Sequence, residues 1–127
     1  MASEKNKQIN PELLTKSLLD IAVEAWRLGR LFERLLVGQD VNKQDKYRAQ
    51  FRWFQKKVDS SLAGLGMRIE NIEGHPFDTG VAATPLNIEE FEPDDKLIID
   101  QMLEPVVMSS TGVVRTGTVI LKKINKS

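Results

Sequence analysis

LAGLGMRIENI, residues 62 to 72, is where the pattern of this chain changes. Before it, apolar residues recur every three to four positions. After it, they recur every second position. Leu62 and Leu65 close a helical stripe, and Gly64 and Gly66 are helix-ending residues. From Met67 onward, Met67, Ile69 and Asn71 alternate with Arg68, Glu70 and Ile72, which suits a short strand. Helices on one side and strands on the other predict an α+β chain with segregated halves.

Upstream, a helix is expected from about Gln44 to Leu65. Its stripe is Tyr47, Phe51, Phe54, Val58, Leu62 and Leu65, with Trp53 beside it. Lys46, Arg48, Arg52, Lys56 and Lys57 lie between these residues. A helix that is basic and aromatic together is a pattern that can bind nucleic acid. Here the aromatics stand at core spacing and the cations largely fill the opposite face, which favours a structural reading.

Further upstream, Asn10-Pro11-Glu12 is a helix start: an N-cap, a proline at the first helical position and an acid near the positive end of the dipole. Leu14, Leu18, Ile21, Ala25, Leu28, Phe32 and Leu35 then follow at alternating spacings of four and three. Leu19, Val23 and Trp26 widen this stripe. So wide a stripe predicts burial on more than one side, as in a bundle. Gly38 is the expected C-cap, and GQDVNKQD a polar loop. The expected organisation is a disordered N-terminus over 1–10, a helical hairpin over 11–65 and a β-domain over 66–127.

Downstream, Glu73-Gly74-His75-Pro76, Asp78-Thr79-Gly80 and Glu92-Pro93-Asp94-Asp95 are turn chemistry. Residues 81–91 read as extended, with Pro85 at an edge or bend. Lys96 to Met108 reads as a strand interrupted by, or placed at an edge by, Pro105. Val113 to Ile124 reads as the last strand, after a turn over Ser109 to Gly112.

Composition is that of a soluble protein, 41% hydrophobic and 28% charged, with zero net charge. Zero net charge argues against a nucleic-acid binder held by phosphate contacts. The charge is unevenly spread: residues 1–65 hold 12 Lys/Arg and 8 Asp/Glu, and residues 66–127 hold 6 and 10. There is no Cys, which excludes disulfides, thiol catalysis and thiolate metal sites. No apolar run reaches the ~18 residues of a membrane span, and MASEKNKQIN lacks the apolar core of a secretory signal. A cytoplasmic protein with no membrane partner is expected.

Residues for chemistry are scarce. His75 is the only histidine and stands in a turn with no evident nucleophile or carboxylate set. Glu89, Glu90, Glu92, Asp94 and Asp95 form an acidic run without the positional pattern of a calcium loop. STGVVRTG has neither the spacing nor the Lys-Ser/Thr ending of a phosphate loop. The expectation is a binding protein, not an enzyme, with no metal and no cofactor. Arg115, a charge among Val113 and Val114, is left as a contact for another protein, as a bridge to an acidic neighbour such as Glu104, or as a surface charge of no special meaning.

In this order the parts resemble the GrpE family, nucleotide exchange factors of DnaK-type chaperones. Leu65-Gly66-Met67 stands where the family's bundle helix enters its β-domain. Pro76, Phe77 and Asp78 match a Pro-Phe-Asp element ahead of an extended strand. Val113, Val114 and Arg115 match the Val-Leu-Arg of the final hairpin. The resemblance covers about residues 14–123 and is best from 62 onward.

It implies a helical hairpin that dimerises into a four-helix bundle, followed by a small GrpE-like β-domain. It implies that the β-domain docks on the ATPase domain of a DnaK-type chaperone and promotes ADP release. By position, the implied partner contacts are Leu103, Glu104, Val107, Arg115 and Leu121. The implied dimerisation residues are Leu14, Leu18, Ile21, Leu28, Phe32, Leu35, Phe51, Phe54 and Val58; the wide apolar stripes argue independently for such pairing.

The chain looks like a short form without the family's long paired N-terminal helix. Ala82-Ala83-Thr84-Pro85 and Glu104-Pro105-Val106-Val107 replace the family's usual residues on the chaperone-facing side. Two rival readings stand beside exchange: an adaptor for a divergent actin-fold ATPase, and a purely structural dimerising scaffold.

Overall fold

A computed structural model describes residues 9–124; of the expected disordered N-terminus, residues 1–8 lie outside the described residues. Helix α1 runs Pro11–Leu36. The Asn10 side chain accepts hydrogen bonds from the backbone N–H groups of Glu12 (2.9 Å) and Leu13 (3.4 Å), satisfying donors that the first turn leaves free. The helix ends at Leu36 with Val37 as its cap, and Gly38 lies in the turn behind it.

Helix α2 runs Val41–Ala63. It starts at Val41 and not near Gln44, because the Asp40 carboxylate caps it, accepting from the Lys43 N–H at 3.0 Å. Gly66 has φ 73°, a left-handed conformation that costs little without a Cβ. There the chain turns out of α2 into the first strand.

The rest forms six strands: β1 Met67–Glu70, β2 Ala83–Pro85, β3 Leu97–Glu104, β4 Val106–Ser109, β5 Gly112–Arg115 and β6 Gly117–Lys123. The class is α+β, two helices with two small three-stranded sheets. One sheet has the order β1-β4-β5, antiparallel throughout. The other has the order β2-β6-β3, with β2 parallel and β3 antiparallel to β6. Pro85 sits on the edge strand β2, where a missing N–H is tolerated.

The two long strands expected at 96–108 and 113–124 are each broken, at Pro105 and at Thr116. They remain one hairpin. Its base, β3 with β6, belongs to one sheet, and its tip, β4 with β5, to the other. At the bend the strands are too close for a side chain on Gly117. A Cβ there would stand 2.9 Å from the Glu104 carbonyl oxygen and 3.0 Å from Val106 Cγ2. Gly117→Ala is therefore expected to destabilise the fold by about 1–3 kcal/mol in urea unfolding, because backbone must move to admit the methyl.

Two apolar clusters hold these elements. Leu19 and Ala22 of α1, Leu62 of α2, Met67 of β1 and Val107 of β4 form the first. Leu97, Ile99, Met102, Val119 and Leu121 form the second, with Trp26 of α1 packed against it. The change of element type at 65/66 is thus not a break in the core, since the first cluster spans helices and sheet. The helices approach closely where the Phe51 ring lies over Gly29; a Cβ on Gly29 would collide with it.

Glu73 ties the helical half to the strand half. Its carboxylate accepts from the Met102 N–H on β3 at 2.8 Å and forms a bidentate pair with Arg30 of α1. Arg30 in turn lies 5.2 Å from the centre of the Trp26 ring. Desolvation pushes the Glu73 carboxyl up, but the Met102 N–H and the Arg30 guanidinium outweigh it and hold it below the usual range.

Candidate docking surface

The hairpin bend decides which nominated contacts can meet a partner. Val107 and Leu121 are fully covered, at 0% and 2% exposure, one in each apolar cluster. This corrects their placement as partner contacts. In a strand of period two, either face can be the covered one, and here the odd-numbered positions 117, 119 and 121 point inward.

Leu103, Glu104 and Arg115 keep part of their surface open. They do not form one patch. Glu104 accepts from the Thr118 hydroxyl at 2.8 Å across the β3–β6 pair. Leu103, the neighbouring residue on β3, lines a different cleft. Arg115 does not bridge to Glu104; it reaches α1, where its guanidinium stands 2.9 Å from an Asp20 oxygen. Lys16 also pairs with Asp20, at 3.1 Å. Lys16 first and Arg115 second hold the Asp20 carboxyl below its ordinary range.

Because Asp20 is half exposed, the Arg115 pair is a surface ion pair. Arg115→Ala is expected to change stability by less than about 1 kcal/mol. A thermal melt that stays in place while partner binding falls would assign Arg115 to docking.

The Leu103 cleft has a volume of about 280 Å³ and is bounded by Trp26, Arg27, Arg30, Arg34 and Met102. Of its lining residues, only Leu103 is among the contacts expected from sequence. The cleft's signal was present: Arg27, Arg30 and Arg34 recur at helical spacing and share a face of α1. What could not be read is that β3 lies beside that face.

The nine nominated dimerisation residues divide. Leu14, Ile21, Leu28 and Leu35 recur every seventh position and are 57–67% exposed, an apolar line along α1 left open among the described residues. Phe54 is also open, at 40%. Leu18 and Val58 pack on the first core cluster. Phe32 and Phe51 meet each other at 5.2 Å between ring centres, and so close the helical hairpin from within.

Among the described residues there is no group of three or more His, Cys, Asp or Glu able to hold a metal, and no helix long and apolar enough to cross a membrane. His75 is exposed in its turn. Compared with protein-family models, curated proteins and solved structures, the chain matches none of them.

Proposed function

We propose that this chain is a GrpE-like co-chaperone, a homodimeric nucleotide exchange factor for the ATPase domain of a DnaK-type chaperone. The observation that carries the reading is the order of parts along one chain. A helical hairpin is followed by Leu65-Gly66-Met67, then Pro76-Phe77-Asp78, then Val113-Val114-Arg115 in a closing hairpin. Two chains pair along the line Leu14, Ile21, Leu28 and Leu35, giving a four-helix bundle. Leu103, Glu104 and Arg115 are separate points of contact with the ATPase, not one patch. The β-domain binds the open arrangement of the ATPase lobes better than the closed one, shifting the population toward the state that loses ADP. No covalent chemistry is asked of the chain.

Calorimetric titration with the isolated ATPase domain of a DnaK-type chaperone tests this. Tight binding is expected without nucleotide, and weaker binding with ADP, because coupling between two ligands is reciprocal. Binding that ignores nucleotide favours the adaptor for a divergent actin-fold ATPase. No binding leaves the dimerising scaffold. For the pairing, light scattering at ~10 μM is expected to give the mass of two chains, and Ile21→Lys with Leu28→Lys the mass of one.

A further inference from the structure

Helix α2 carries the charge excess of the first half of the chain: residues 41–63 hold six Lys/Arg and two Asp. Among the described residues, Arg48 alone of these cations is in an ion pair, with Glu33 at 3.3 Å. Leu62 is the one buried residue of this helix. At about 100° per residue, Lys46, Trp53 and Lys56 share the face turned away from the Phe51, Val58 and Leu62 stripe, and Lys57 stands at its edge, bordering a cleft lined by Ile21, Phe54 and Val58. Both aspartates lie to one side of that face, near Arg48 and Arg52. Trp53 is not a core residue as its neighbours' spacing suggested. It is 65% exposed, with the Lys57 ammonium 5.1 Å from its ring centre.

An exposed indole flanked by three unpaired lysines suits a ligand that is both flat and anionic. We propose that this face of α2 binds single-stranded nucleic acid, the lysines against phosphates and the Trp53 ring under a base. Every base has a π-face, so the binding follows backbone and stacking and not base order. The zero net charge of the chain counts against long-range attraction, but not against a local basic patch. Screening over about 10 Å at 0.1 M salt leaves the local patch as what a phosphate meets. An anionic membrane is a poorer occupant, because an interfacial helix needs an apolar face to sink below the headgroups. Here that face has one aromatic, and the apolar stripe of α2 is turned toward α1.

Fluorescence anisotropy of a labelled oligothymidylate, titrated with the full chain, tests the proposal. Binding is expected to weaken about 20-fold between about 50 and 200 mM salt, from three phosphate contacts at a slope of about −0.7 each. Trp53→Ala should weaken it about tenfold with an unchanged melting curve, and Trp53→Phe, which keeps a ring, much less. Replacing the three lysines by glutamine should flatten the salt dependence. No anisotropy change up to ~100 μM protein in low salt overturns the proposal. So does a Trp53→Ala chain that binds as well as the parent, or tighter binding to phosphatidylglycerol vesicles than to the oligonucleotide.

Discussion

Leu62→Ala is expected to lower the free energy of unfolding by about 3–5 kcal/mol. Leu62 is 0% exposed and shares one cluster with Leu19 and Ala22 of α1, Met67 of β1 and Val107 of β4. Truncation leaves a cavity where two helices and a sheet meet, with walls from different elements that cannot all collapse inward together. In a domain of this length the melting temperature should fall on the order of 10 °C or more. The measurement is urea unfolding followed by helix signal, at one fixed protein concentration because association adds to apparent stability. Trp53→Ala on the same helix is the control and should cost little, because that side chain is 65% exposed. A Leu62→Ala loss below about 1 kcal/mol would mean that α2 is not packed as described.

Glu73→Ala is expected to cost about 2–3 kcal/mol, since the change removes a charged acceptor from the Met102 N–H and from Arg30 at once. The cost should depend on pH. The Glu73 carboxyl is held below the ordinary value of 4.5 in the folded chain. Its contribution is therefore complete above that value and is lost as pH falls through the lowered folded value. The gap in stability between the parent chain and Glu73→Ala should accordingly be constant from about pH 6 to 8 and close in the acid range. A gap that persists unchanged to about pH 3 would show that packing, and not the carboxylate, ties α1 to β3.

The fold class was legible because one short stretch, 62–72, changes period. Leu62 ends a spacing of three and four, and Met67 begins a spacing of two. Asn10-Pro11 marked the start of α1 because capping is local chemistry, and the side chain does accept the first N–H groups. The same local rule at Asp40 was passed over inside a polar loop, so α2 was expected to start late. What failed depended on partners distant in sequence. Pro105 signals an interruption, but nothing in its neighbours says that the strand passes there from one sheet to another. Val107 and Leu121 looked like contacts because alternation gives two faces without saying which is covered. The Arg115 partner, Asp20, lies on a helix far away in the chain, and proximity of that kind leaves no local pattern. Trp53 stood beside a core stripe, but two residues past Phe51 is about 200° of rotation, which carries it to the far side of the helix.

The exchange reading is tested most directly by the release of fluorescently labelled ADP from a DnaK-type chaperone, followed after mixing with excess unlabelled nucleotide. The account predicts that release accelerates about tenfold or more, saturates with added chain, and drops toward the unassisted rate with Arg115→Ala at an unchanged melt. Release that stays at the unassisted rate when the chain is saturating would contradict it.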